Sequence, residues 1–189
     1  MKPVARAVLS FLALLAACDP KPAARVDVTL GARPEDRHSF TADAAFAEYV
    51  ELSDGVHELT ITLAGYKASC ERFEPPRPGD VVVTAVALTP PGVAPGKGSF
   101  SWSGHEAHGG SPMRPDKPYA VPTVRVGPKS FPIQPGGALE LSRVELSRDG
   151  RIGGLLKFES PGDGRHEATS IKGSFDVPLC RFRELPNRP

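Results

Sequence analysis

The chain has 189 residues, with 23 Lys and Arg against 22 Asp and Glu and a formal net charge of +1. Charges that nearly cancel, with no long run of one sign, exclude the concentrated basic face of a nucleic-acid or polyanion binder. The length suits one domain with a real core. The 19 glycines and 21 prolines fall between apolar runs and not in tracts, which is the distribution of a turn-rich β protein and not of a disordered chain.

Lys2 and Arg6 form a short basic head, and the eleven residues 7–17 are apolar except for Ser10. A bilayer span needs roughly 20 such residues. A basic head, a short apolar core and small residues before a cleavage point mark a secretory signal. The segment closes with Leu15-Ala16-Ala17-Cys18. This resembles the lipobox of bacterial lipoproteins: a branched apolar residue, two small residues, then cysteine. The resemblance implies a diacylglyceryl group on the Cys18 thiol, cleavage between Ala17 and Cys18, and acylation of the new amine, typically with palmitate. Two or more acyl chains suffice for stable anchoring. The expected location is therefore the cell envelope, with the chain lipid-anchored to a bacterial membrane and its domain in the periplasm or at the cell surface. Asp19 resembles the signal that retains lipoproteins in the inner membrane of enteric bacteria. The plain alternative is an ordinary signal peptide that leaves Cys18 as a free thiol.

Asp19 to Ala24 reads as a polar linker, and six or seven extended residues reach only about 20–25 Å. Arg25 to Leu30 alternates apolar and polar and predicts a first strand. Residues 31–43 look irregular. Phe46 to Leu52 fits either a helix capped by Thr41 or a strand, and the strand is preferred because Ser53-Asp54-Gly55 leads into a clear one. There Leu59, Ile61 and Leu63 alternate with Glu58, Thr60 and Thr62, a half-buried antiparallel pattern. Gly65 to Gly79 is a loop around Cys70. Asp80 to Leu88 is nearly continuous in apolar residues and predicts a strand buried on both faces.

Gly98 to Ser103 carries Phe100 and Trp102 at strand spacing, and Gly104 to Pro118 is a long open loop. Tyr119 to Val126 predicts a strand in which Pro122 calls for a sheet edge or a bulge. Ala138 to Ser147 carries Leu139, Leu141, Val144 and Leu146; the phase slips after Leu141, which predicts a bulge. Asp149-Gly150 is a hairpin turn signal, and Ile152 to Glu159 should pair back. The last strand alternates Ile171, Gly173, Phe175, Val177 and Leu179 up to Cys180. Arg181-Phe182-Arg183 then reads as part of a solvated tail.

Eight or nine strands with no confident helix predict an all-β domain. The first expectation is a single antiparallel β-sandwich of immunoglobulin-like or jelly-roll type, and the alternative is a closed β-barrel. The expected organisation is a lipoprotein signal peptide over 1–17, the lipidated cysteine and linker over 18–24, the domain over 25–180 and a C-terminal tail over 181–189. With Cys18 lipidated, Cys70 and Cys180 remain as an even pair in an oxidising compartment and read as one disulfide. Two buried thiols are the alternative. The strand before Cys70 and the closing Lys172-Gly173-Ser174-Phe175-Asp176-Val177-Pro178-Leu179-Cys180 together resemble uncharacterised lipoproteins of Gram-negative bacteria. That resemblance implies a disulfide-tied β fold and carries no activity.

The chemistry is sparse. His105-Glu106-Ala107-His108 places its second histidine one position too early for a zinc-protease helix. His105 and His108, with Glu106 beside them, are candidate metal ligands in a polar loop. Trp102 and Tyr119, with Phe100, are candidates for an aromatic ligand platform, against the plainer reading of core residues. The serines lack the register of a nucleophile elbow, and no phosphate loop, dinucleotide fingerprint or calcium loop is present, so neither an enzyme nor a cofactor is expected. The expected function is an envelope lipoprotein whose domain meets an envelope protein partner or serves a structural role. A small-ligand, glycan or metal binder is second. Replacing Cys18 by serine should move the protein from the membrane to the soluble fraction and abolish palmitate labelling. A variant that remains with the membrane pellet would sink the lipid-anchor reading.

Overall fold

The computed structural model describes residues 24–70, 74–103, 115–162 and 167–183. Its strands are β1 (Arg25–Thr29), β2 (Arg37–Thr41), β3 (Ala44–Glu51), β4 (His57–Ala64), β5 (Val81–Thr89), β6 (Gly98–Ser101), β7 (Tyr119–Val126), β8 (Lys129–Pro132), β9 (Ala138–Val144), β10 (Arg151–Ser160) and β11 (Thr169–Arg183). The only helical element among the described residues is a single 3-10 turn, Pro34–Asp36.

Alternation is cleanest in β11. Ile171, Phe175, Val177 and Leu179 are buried, while Lys172, Ser174, Asp176, Pro178 and Cys180 are exposed. A strand sends successive side chains to opposite faces, so β11 has one apolar and one polar side along its length. It is 15 residues long, enough to serve several neighbours. Its first ten residues pair antiparallel with β10, from Thr169 opposite Ser160 to Pro178 opposite Arg151. Its last residues, from Leu179 opposite Ala47 to Arg183 opposite Val50, run parallel to β3.

That double pairing closes the sheet. The order β3-β4-β5-β7-β6-β9-β10-β11 returns to β3. The domain is thus an eight-stranded closed barrel, and the expected β-sandwich gives way to the alternative. The physical reason lies in β11: one strand long enough to bond β10 and β3 removes the two edges that a sandwich would leave open. It also extends the last strand three residues past Cys180, so Arg181–Arg183 belong to the sheet and not to the expected tail.

β1 and β2 form a hairpin off the ring. β1 pairs with Ser170–Gly173 of β11 and sends Val26 and Val28 into the core. β2, in a stretch that looked irregular, is held by its ladder to β1. Four local signals are met in the structure. Gly55, at φ +82°, sits in the β3–β4 turn. Ser142 is the extra residue where the β9–β10 register shifts, since Gly153 faces Arg143 and Gly154 faces Leu141. Residues 145–150 join β9 to β10 as a hairpin. Pro122 pairs with Ala85 of β5 in a stretch of β7 with no second neighbour, because β6 reaches β7 only at Tyr119 and β8 only from Thr123 onward. A residue without an N–H is tolerated at such a local edge.

Burial in β5 differs from expectation. Val82 and Val83 are both buried, but Thr84, Val86 and Leu88 are only half-buried. Val82 points outward into a small satellite cluster with Ala44, Ala64, Tyr66 and Ala68. The outer face is thus covered only where the loop after β4 lies across it.

Trp102, just after β6, lies beside the thin β6–β7 seam. Its backbone bonds Gly136 and Gly137, and its indole N–H donates to the Ile133 carbonyl at 3.0 Å. Gly137, at φ +81°, has no room for a side chain, since a Cβ there would lie 2.0 Å from the Lys157 carbonyl.

Cys70 and Cys180 form a disulfide, with Cα atoms 6.0 Å apart and 110 positions between them in sequence. It pins the loop after β4 to the outer face of β11. Arg181 reinforces the junction by donating to the Cys70 carbonyl at 2.8 Å and pairing with Glu48 at 3.2 Å. Replacing both cysteines by serine should cost about 4–5 kcal/mol on the chain-entropy model for a loop of this length, measured by denaturant unfolding. A loss near zero would mean that β11 holds its place without the bridge.

Candidate functional site

The interior is packed. Leu59, Ile61 and Leu63 from β4 meet Val83, Ala85 and Ala87 from β5, with Leu139, Ile152, Leu156, Phe158 and Ile171 from the far wall, all at most 1% exposed. The outer faces of β9, β10 and β11 carry Arg, Lys, Asp and Glu. A membrane-spanning barrel has the reverse arrangement, an apolar outside and a polar lumen.

Trp102 and Tyr119, the candidate aromatic platform, are 7% and 5% exposed, and Phe100 is 3% exposed. They are core residues, so the platform does not form. His105, Glu106 and His108 lie outside the described residues, as does Cys18. Among the described residues, no group of three or more His, Cys, Asp or Glu is placed to hold a metal ion.

One polar pair is buried at the turn end of the barrel. The Tyr49 hydroxyl lies 2.6 Å from His57 Nδ1, and the two rings stack with centroids 5.8 Å apart. His57 follows the inward phase of β4, two residues before Leu59 and on the same face, and its Nε2 is buried without a hydrogen-bond partner. Sequence reasoning placed His57 in solvent because it stands before an apolar strand. The tertiary cause of its burial is the barrel end, where Glu51 and Thr89 flank it in register.

The most distinctive surface feature is Leu155. It is 38% exposed, in the middle of β10. A groove of about 600 Å³ runs beside it, lined by Arg25, Asp27, Lys157, Glu159 and Lys172, and a second of about 520 Å³ reaches Ser99, Ser142 and Phe175 on its other side. The hollows exist because the surrounding positions are small: Gly98, Ser99, Gly154, Gly173 and Ser174. A signal for Leu155 was present in the sequence. Two consecutive leucines in a strand, Leu155-Leu156, must put one on each face, and Leu156 is the one inside.

Charges around this face are matched. Lys157 pairs with Glu140 at 2.9 Å, Lys172 with Glu159 at 3.0 Å and Arg25 with Asp27 at 3.9 Å. All are exposed, so each pair contributes little stability. On the β9–β10 hairpin, the hydrogen bond from Arg143 holds the Glu145 carboxyl below the usual carboxylate range. Asp36 is lowered in the same way by Arg33.

The chain matches no protein-family model, no curated protein and no solved structure.

Tyr49→Phe should destabilise the barrel by about 1–3 kcal/mol, because it leaves His57 Nδ1 buried without its hydroxyl partner. Adding His57→Leu should recover part of that loss, since an apolar pair leaves nothing unsatisfied. A double-mutant cycle by denaturant unfolding reads the coupling, which contacting pairs place at about 0.5–3 kcal/mol. Strict additivity would mean that the pair is not coupled.

Proposed function

We propose that this chain is a lipid-anchored protein of the bacterial cell envelope. Its disulfide-tied barrel works from its outer surface, as a protein-interaction or structural module. The observation that carries the surface part of this reading is the filled interior. An eight-stranded barrel is only just wide enough for its side chains to fill, and here Leu59, Ile61, Leu139, Ile152, Leu156 and Phe158 do so. A small-ligand carrier of the same size needs a hollow there. Support for the anchor comes from the Leu15-Ala16-Ala17-Cys18 motif. The Cys70–Cys180 bridge is in keeping with an oxidising compartment. The competing reading, a glycan, small-ligand or metal binder, loses its aromatic support with the burial of Trp102 and Tyr119.

The test is in-cell crosslinking of the tagged, full-length protein, with mass spectrometry of what co-purifies. One recurrent envelope protein at near-equal amount, lost when exposed loop residues are altered, is the expected result. A clean bait with no partner would overturn the interaction reading and turn attention to metal and glycan binding by residues 104–118.

A further inference from the structure

Two large apolar side chains are markedly exposed among the described residues, Leu155 at 38% and Val93 at 48%. Leu155 is midway along β10 on the side wall, and Val93 lies off the strands in a turn. Val93 belongs to the turn after β5, where its carbonyl accepts from the Thr89 hydroxyl and where Gly92 bonds Gly55, at the Glu51–His57 end of the β3–β4 pair. Leu155 faces Ser174 of β11. Because Leu179 is level with Ala47 in the parallel seam, Ser174 lies beyond the Ala44 end of β3. Measured along the strand direction at β3, the two positions differ by about the length of that strand, eight residues, or about 23 Å at the rise of a strand.

The first strand of the domain begins beside Leu155. Arg25, the first residue of β1, lines the groove beside Leu155, and the Ala24 carbonyl is fixed by the Ala42 N–H at 2.7 Å. Cys18 is seven positions before Arg25. Covalent geometry allows at most about 23–25 Å between them. If Cys18 carries the acyl chains, the groove face cannot move farther from the bilayer than that, whereas the Val93 end can stand a further strand length away.

From this placement we infer that the Arg25–Leu155 face of the barrel rests on the headgroup layer of the membrane that holds Cys18, with Leu155 as its apolar contact. The inference rests on the lipid-anchor reading and adds an orientation to it. The chemistry of the face suits such a surface. An exposed leucine gains by leaving water for the acyl boundary. Three cations, Arg25, Lys157 and Lys172, stand beside three anions, Asp27, Glu140 and Glu159, so the patch is neutral and can exchange its weak surface pairs for the phosphate and ammonium groups of phospholipids. This docking leaves the Val93 turn facing away, where a protein partner has access.

The test uses the full-length lipidated protein in vesicles of phosphatidylethanolamine and phosphatidylglycerol. A diazirine amino acid replaces Leu155 in one variant and Val93 in another. Both positions are exposed, so neither change disturbs the core, and the Cys70–Cys180 bridge is checked in each. The mass of the Cys18 peptide is recorded first. Lipid adducts at position 155 and none above background at position 93 are expected. Adducts at 93 alone, at both positions equally, or at neither would overturn the orientation, and so would crosslinks at 155 to a second copy of the chain. An unmodified Cys18 on a chain left in the supernatant would instead overturn the anchor itself, and the mass separates that failure from the others.

Discussion

The barrel depends on the double duty of β11. Its first ten residues complete the wall against β10, and its last residues run parallel to β3. Everything else in the ring is ordinary neighbour pairing. Parallel pairing is slightly less stable per residue than antiparallel, and here it covers a short stretch with a register shift after Leu179. It is also the point where the Cys70–Cys180 bridge, the Arg181–Glu48 pair and the Arg181 bond to the Cys70 carbonyl converge. The covalent and ionic reinforcement thus falls at a short stretch of ladder, and the two ends of the sheet are kept together across 110 positions of sequence.

A second thin place lies between β6 and β7, which share a single register pair at Ser101 and Tyr119. Side-chain packing replaces the ladder there. Trp102 fills the space, with its indole N–H satisfied by Ile133, and the close approach of Gly137 to β10 lets the chain turn under it. The only tryptophan of the chain is therefore used for closure. That explains why a residue type common at binding surfaces is absent from the surface here.

The polarity of the molecule follows from the same closure. With the lumen occupied by Leu, Ile and Phe, the variable positions are the outward ones. On β9, β10 and β11 these are matched charges and small residues around one leucine. The Tyr49–His57 pair is a buried polar contact left with one orphaned nitrogen at the end of the barrel. Its neighbours in register are Glu51 and Thr89.

By itself the sequence determined the local structure. Strict alternation in residues 171–179 specified a half-buried strand, the slipped phase after Leu141 specified the bulge at Ser142, Asp54-Gly55 and Asp149-Gly150 specified turns, and the even cysteine pair specified the bridge. These signals act over a few residues, or in the cysteines' case by count, and so they survive without a fold. What only the tertiary structure decided was how the strands close. A sandwich and a barrel need the same alternation, and they differ only in whether the first and last strands meet. That depended on three residues beyond Cys180, which resemble a charged tail until β3 supplies their hydrogen bonds. The burial of Trp102, Tyr119 and His57 and the exposure of Leu155 were decided in the same way. A side chain's periodicity says which face of a strand it occupies, and the closed ring decides which face is inside.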